Sequence, residues 1–203
     1  MDKRFVIEKL KNLGFSDNAI EKLSIFRKNL LIYNKKHNFI AKSTENDIWY
    51  RHILDSAQIL RFFDNKVHNI SDFGSGAGFP GLIISIFDEN NKFHVKLYEK
   101  SPIKRDFLKL ISDKIGLKNE IRANVYEETI DADLIVCRAF KKLDEIIKIS
   151  REIVKKPHNL IILKGKNAQL EINNVSLGKN YRYKLEESIT EHDSKIILIE
   201  AKK

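Results

Sequence analysis

Cysteine, proline and glycine are all scarce in this chain of 203 residues, which has one cysteine, three prolines and eight glycines. The single cysteine, Cys137, excludes an internal disulfide and a cysteine-rich metal site, and we assign no metal ligands. No apolar run approaches the roughly 20 residues that span a bilayer. The first ten residues also lack the basic-then-apolar order of a signal peptide. We therefore expect a cytoplasmic protein that has no membrane partner.

Acidic side chains are too few to balance the basic ones, so the formal net charge is +9. Residues 1–66 contain 13 basic and 8 acidic side chains, so about a third of the chain carries more than half of the excess. Lysine and arginine gain affinity for phosphates by displacing counterions. The charge therefore favours a polyanionic partner such as a nucleic acid, although a lysine-rich, solvated surface would give the same value.

Residues 1–66 are predicted to form helices. Gly14 ends the first helix as a C-cap glycine does, and Ser16 is a suitable N-cap for the second. Thr44 and Asp47 resemble a capping box that would open a third helix. We therefore assign these residues to an N-terminal helical extension that packs on the rest of the chain, and its excess of basic side chains would face a nucleic acid such as RNA.

Residues 67–203 have a different periodicity, in which short β-rich runs alternate with helical segments. This alternation is typical of a parallel sheet with crossover helices. The last two runs are joined by only a few residues, so they form a hairpin and end the sheet with an antiparallel strand. The prediction is an α/β fold with a seven-stranded, mostly parallel sheet. The predicted helices are at 80–88, 101–116 and 143–155. The predicted strands are at 69–73, 93–99, 119–125, 133–140, 159–165, 180–189 and 194–201.

The stretch ISDFGSGAGFPG at residues 70–81 contains four of the eight glycines. Glycines after a first strand let the backbone turn tightly and approach a ligand closely. The spacing from Gly76 fits the dinucleotide fingerprint, and a second reading begins at Gly74. Nicotinamide dinucleotides and S-adenosylmethionine both suit such a loop, and the glycine pattern alone does not choose between them.

Asp72 and the terminal hairpin favour S-adenosylmethionine, while Glu99 supports a nucleoside without choosing between the two cofactors. Asp72 ends the first strand, where a carboxylate would oppose a pyrophosphate but tolerates a sulfonium and an ammonium group. Glu99 ends the second strand, where it can accept both ribose hydroxyls of either cofactor. A terminal hairpin is also unlike the all-parallel dinucleotide fold.

The sequence CRAF after the fourth strand bears on the methyl acceptor. It lacks the D/N-P-P-Y/F sequence with which several families hold an exocyclic amine. Cys137 follows Val136 within an apolar run, as a buried structural cysteine does, so a thiolate mechanism on cytosine is disfavoured. A ring nitrogen such as guanine N7 remains, and it carries no proton to remove. We therefore expect no general base and name no catalytic residue.

Five motifs occur in order along the chain: RHILDS (51–56), DFGSGAGFPG (72–81), SPIKRDFL (101–108), CRAF (137–140) and LKG (163–165). Together they resemble the bacterial glucose-inhibited division protein B family, also called 16S ribosomal RNA (guanine-N7) methyltransferase G. The resemblance implies a Rossmann-like methyltransferase fold that uses S-adenosylmethionine. It also implies methylation of N7 of one guanine of 16S ribosomal RNA, conventionally numbered 527. Another RNA or a small molecule is the alternative acceptor.

The resemblance also implies the cofactor-binding residues. Tyr126 and Glu127 match the pair that encloses the adenine, and Glu99 stands where the family usually has aspartate. Arg138 could neutralise the methionine carboxylate or an RNA phosphate, and a structural salt bridge is its alternative role. The predicted cofactor-binding set is Gly74, Gly76, Phe79, Glu99, Tyr126, Glu127 and Arg138.

Other residues are expected to support this site or to bind RNA. We predict that His52 and Asp55 form the contact between the helical extension and the glycine loop, and that Trp49 is a core residue. We expect a monomer that binds 16S ribosomal RNA or the small ribosomal subunit. An oxidoreductase and a non-catalytic RNA-binding module remain rival functions. The candidate phosphate-binding side chains are Lys100, Lys104, Arg105, Lys164 and Lys166.

Overall fold

The computed structural model describes residues 2–175 and 177–202. Seven strands form one sheet, with bounds β1 Asn69–Phe73, β2 His94–Tyr98, β3 Glu120–Arg122, β4 Leu134–Arg138, β5 His158–Lys164, β6 Tyr181–Glu187 and β7 Lys195–Ala201. The strand order is β3-β2-β1-β4-β5-β7-β6. The first five strands are parallel, and β7 runs antiparallel to both β5 and β6. The predicted seven-stranded sheet with a terminal hairpin is confirmed.

The helices predicted at 80–88, 101–116 and 143–155 are confirmed to within two residues, and a further short helix at 168–173 was not predicted. No helix within the two described ranges is long and apolar enough to cross a membrane. The α-helical bounds are α1 Lys3–Asn12, α2 Asp17–His37, α3 Asp55–Ala57, α4 Gly81–Phe87, α5 Pro102–Ile115, α6 Leu143–Ile153 and α7 Ala168–Asn173.

Gly14 ends the first helix and Ser16 begins the second, as predicted. Gly14 follows α1 with a φ of +100°, in the region that favours glycine. The Ser16 hydroxyl accepts a hydrogen bond from the Ala19 N–H at 3.0 Å and caps α2.

The predicted capping box at Thr44 is wrong. Thr44 lies inside a 3-10 helix, Lys42–Asp47, and its hydroxyl donates to the Ala41 carbonyl at 2.8 Å instead of capping a helix. The chain continues as a π-helix (Trp49–Leu54), α3 and a second 3-10 helix (Gln58–Phe62).

The third predicted strand is shorter than the expected run of 119–125. β3 stops at Arg122, and Val125–Glu127 forms a 3-10 turn. The cause is Asn124, whose side-chain oxygen accepts the Tyr126 N–H at 3.3 Å and turns the chain away from the sheet.

Apolar clusters cover both faces of the sheet. One combines the helices of residues 1–66 with α4 and α5, and it includes Phe26, whose ring lies 5.4 Å from that of Phe79 in the glycine loop. Trp49 is 7% exposed within this cluster, so its predicted core role is confirmed. The other cluster joins α6 and α7 to the opposite face. Since one cluster spans both segments, the domain boundary between residues 66 and 67 stays a prediction.

Candidate active site

A cavity of about 370 Å³ lies at the carboxyl ends of β1, β2 and β4. Ligands of open α/β sheets bind at this edge, where the strand order reverses. The structure brings five of the seven predicted cofactor-binding residues to the cavity wall: Gly74, Gly76, Phe79, Glu99 and Arg138.

The glycine loop requires glycine because its backbone has positive φ values and because neighbouring atoms leave no room for a Cβ at Gly74. Gly74, Gly76 and Gly78 have φ values of +76°, +56° and +106°. A Cβ on Gly74 would lie 2.4 Å from Cδ2 of Phe140, which also lines the cavity. The N–H groups of Gly74 and Ser75 donate to the Tyr98 carbonyl at 2.9 and 3.0 Å, so the end of β2 holds the loop in place.

Glu99 shapes the loop as well as lining the cavity. Its Oε2 accepts the Gly76 N–H and its Oε1 accepts the Ser101 N–H, both at 2.8 Å. A carboxylate oxygen can accept a second hydrogen bond, so both oxygens keep capacity for ligand hydroxyls. The predicted ribose contact is compatible with this geometry, while the bridge from Gly76 to Ser101 was not foreseen.

Asp72 lies beneath the loop rather than on the cavity wall. The residue is fully buried, and its Oδ2 accepts the Gly81 N–H at 2.9 Å, which fixes the start of α4 against β1. Its Oδ1 has no hydrogen-bond partner within the described ranges. Burial is the main reason that the pKa of Asp72 is raised to about 7.

This raised pKa predicts how the stability of the protein depends on pH. The native state holds the Asp72 proton more tightly than the unfolded chain, so the stabilisation is present below about pH 4 and is lost as the pH rises through about 7. We expect the free energy of unfolding of wild type to fall relative to Asp72→Asn between pH 4 and 8, by on the order of a few kcal/mol. Urea denaturation of both proteins across that range measures it, and parallel curves would contradict the assignment.

Arg138 joins the helical extension to the cavity. Its guanidinium lies 4.7 Å above the ring of Phe79 and donates to His52 Nδ1 at 2.9 Å and to Asp55 Oδ2 at 3.2 Å. Asp55 Oδ1 in turn accepts the Thr190 hydroxyl at 2.6 Å, from the connector between β6 and β7. His52 and Asp55 therefore both bind Arg138 rather than each other.

His52 is a neutral side chain in this network. Burial first, and then the charge of Arg138, lowers its pKa to about 3. The hydrogen bonds assign the tautomer, because Nδ1 accepts from Arg138 and Nε2–H then donates to Thr44 Oγ1 at 2.8 Å. The ring also stacks on Phe79 at 5.1 Å, which confirms the predicted contact with the glycine loop for His52, whereas Asp55 binds Arg138 and Thr190 instead.

Two predicted residues do not line the cavity. Tyr126 is 51% exposed, and Glu127 is also exposed on the 3-10 turn after β3. Their neighbours Asn124 and Val125 line the cavity instead. The position of Asn124 just after a strand was the signal available in the sequence. The predicted adenine contacts of Tyr126 and Glu127 stay predictions.

The predicted phosphate-binding side chains divide into two groups. Lys100 and Lys104 line the cavity, and Lys166 is exposed. Arg105 instead donates to the carbonyls of Glu99 and Lys100, and Lys164 donates to Glu171 Oε2 at 2.8 Å and to the Lys141 carbonyl. These two side chains have structural partners within the protein.

Comparison with known proteins identifies the family. Residues 19–199 match the family model GidB, described as rRNA small subunit methyltransferase G. The chain belongs to the GidB family. It is 36% identical over 196 residues to the ribosomal RNA small subunit methyltransferase G of Pelagibacter ubique (strain HTCC1062), with 94% of this chain and 92% of that protein covered. It is 37% identical over 184 residues to the protein of the same name from Rickettsia akari (strain Hartford), with 90% and 94% covered.

Solved structures share the fold at low sequence identity. A methyltransferase from Pyrococcus furiosus has a TM-score of 0.59 at 10% identity and covers 74% of this chain and 82% of its own. A ribosomal protein L11 methylase from Lactobacillus delbrueckii subsp. bulgaricus has a TM-score of 0.59 at 11% identity, with 75% and 79% covered. These similarities confirm the predicted Rossmann-like methyltransferase fold.

The cavity fits S-adenosylmethionine, the methyl donor of a GidB methyltransferase. Backbone glycines line the cavity, where a Cβ at Gly74 would overlap the Phe140 ring, and the Glu99 carboxylate lies on the same wall with accepting capacity left. Asp72 lies beneath the loop, so its predicted role in opposing a pyrophosphate stays a prediction.

Proposed function

We propose that this GidB protein transfers the methyl group of S-adenosylmethionine to N7 of a single guanine of 16S ribosomal RNA. The observation that carries the proposal is the match of residues 19–199 to the rRNA small subunit methyltransferase G family. We place the reaction in the cytoplasm and expect the enzyme to act as a monomer, which light scattering on the purified protein would test.

The chemistry of the site suits an acceptor that needs no deprotonation. The sulfonium of the bound cofactor supplies an electrophilic methyl group, and guanine N7 already has an exposed lone pair. His52 is neutral with both ring nitrogens hydrogen-bonded, and Asp72 is buried beneath the loop. Neither is placed to remove a proton from an acceptor. Holding the two reactants in line accounts for the acceleration that such a site can provide.

The charge of the chain supports an RNA substrate. Lys100 and Lys104 line the cavity, and the excess of basic side chains in residues 1–66 lies in the segment that packs beside the glycine loop. A-form RNA hides guanine N7 in a deep and narrow groove. The target guanine must therefore lie in a loop or a remodelled helix.

Methyl transfer to small ribosomal subunits tests the proposal. Unmodified 30S subunits are incubated with labelled S-adenosylmethionine, and the RNA is then cleaved chemically at N7-methylguanine. We expect one strong cleavage site, at the guanine conventionally numbered 527. Naked 16S RNA and free nucleosides serve as comparison substrates, and labelling of a nucleoside but not of subunits would favour the small-molecule alternative.

Melting curves separate the oxidoreductase alternative. S-adenosylmethionine is expected to raise the melting temperature because it binds only the folded protein. A rise with a nicotinamide dinucleotide and none with S-adenosylmethionine would overturn the assignment.

A further inference from the structure

A second, smaller cavity adjoins the first one at the same edge of the sheet. Its volume is about 190 Å³, and it shares two wall residues, Arg138 and Ala139, with the larger cavity. Pockets for drug-sized ligands occupy about 300–1,000 Å³, so this one suits a single planar base. The two cavities meet at the end of β4, where a group held in one can reach the other.

The wall of the second cavity contains one apolar cross-strand pair and one pair of lysines. Leu163 of β5 and Ile196 of β7 are direct cross-strand partners, and both are buried apolar residues of the wall. Lys164 and Lys195 form the next cross-strand pair and also line the cavity, but their ammonium groups pair with Glu171 at 2.8 Å and with Glu187 at 2.5 Å. The apolar pair therefore supplies the surface against which a planar base can pack.

The backbone at the junction is strained. Ala139 has a φ of +51°, and among the described residues it shares positive φ only with glycines and two asparagines. A Cβ crowds the backbone in this region, so a residue other than glycine adopts it unfavourably. Such strain persists where the surrounding structure enforces it, which occurs most often at functional sites.

Arg138 and Asp55, two wall residues of the second cavity, both have hydrogen-bonding capacity left for a ligand. Arg138 uses three of its five N–H groups on Arg51, Asp55 and His52, which leaves two without a protein partner in the described ranges. Asp55 lines only the second cavity, and its Oδ2 accepts one hydrogen bond and has room for another. A base in this cavity can therefore donate hydrogen bonds to Asp55 from one edge and accept hydrogen bonds from Arg138 on another edge.

We propose that the second cavity holds the target guanine, a placement that rests on the proposed function. Guanine carries N1–H and N2–H donors on one edge, and O6 and N7 acceptors on another. With the donor edge at Asp55 and O6 at Arg138, N7 is on the side of the larger cavity. Adenine lacks the N1–H and N2–H donors, so the same contacts select guanine.

Filling the second cavity with a side chain tests this placement. An added Cβ on Gly165, one of its wall residues, meets nothing within 4 Å, so Gly165→Trp introduces bulk without a backbone clash. Ser194→Phe adds bulk from another segment of the wall. Gly178 is the matched control, because its Cβ also meets nothing within 4 Å and it lines a separate cavity.

We expect Gly165→Trp and Ser194→Phe to bind S-adenosylmethionine within twofold of wild type by calorimetry, and to lose at least tenfold in kcat/KM for 30S subunits. Gly178→Trp is expected to retain both properties. Wild-type kcat/KM in both filled variants would overturn the placement of the guanine. Wild-type protein that leaves 30S subunits unmethylated would instead overturn the proposed function, and the placement with it.

Discussion

Gly81→Ala is expected to lower the free energy of unfolding by about 2–3 kcal/mol and to reduce the affinity for S-adenosylmethionine at least tenfold. A Cβ on Gly81 would lie 2.4 Å from Leu97 Cδ2, 2.6 Å from Asp72 Oδ2 and 2.7 Å from Asp72 Cβ. Both neighbours belong to the buried strands β1 and β2, so the helix start must move instead. That movement also breaks the hydrogen bond from the Gly81 N–H to Asp72 and displaces the loop that lines the cavity.

Denaturation in urea and cofactor titration by calorimetry measure the two effects of Gly81→Ala. Gly178→Ala is the control for stability, because its added Cβ meets no atom within 4 Å. A Gly81→Ala protein with the stability and affinity of wild type would show that α4 does not depend on close contact with β1.

Arg138→Met is expected to cost both stability and activity. Removing the guanidinium leaves the Asp55 carboxylate without its cationic partner, and Arg138 and Asp55 are only 17% and 19% exposed. Breaking a fully buried pair costs about 3–5 kcal/mol, so we expect the loss of this partly buried pair to cost about 2–3 kcal/mol. The Phe79 ring also loses the cation above it and His52 loses its donor, so we expect kcat/KM for 30S subunits to fall at least a hundredfold.

A double variant separates the structural role of Arg138 from its role in binding. Arg138→Met combined with Asp55→Leu removes both charges, so much of the lost stability is expected to return. We expect kcat/KM for 30S subunits to stay low, since two N–H groups of Arg138 remain to serve the guanine. Recovery of both stability and kcat/KM in the double variant would reduce Arg138 to a salt-bridge residue.

Features encoded by neighbouring residues were predicted from the sequence. The serine cap of α2, the Gly14 stop and the glycine loop each depend on a few adjacent positions, and the structure reproduces them. The alternation of strands and helices likewise predicted the seven strands. β3 was predicted too long because Asn124 turns the backbone through its side chain, which outweighs the β-propensity of the residues around it.

Contacts between distant segments could not be predicted from the sequence. Thr44 and Asp47 have the spacing of a capping box, yet the Thr44 hydroxyl is engaged with the Ala41 carbonyl and with His52. His52 meets Arg138 across 86 positions of the chain. Both of these residues were assigned to the site by motif, but no local pattern indicates that they bind each other.

The position of β7 in the sheet constrains the order in which the protein can be assembled. Residues 195–201 separate β5 from β6, and within the described residues β6 pairs with β7 alone. Residues 181–187 therefore emerge from the ribosome before the strand that receives them, and they wait unpaired until it arrives. The same strand carries Lys195 and Ile196 to the second cavity, so that wall is completed only when the late strand has docked.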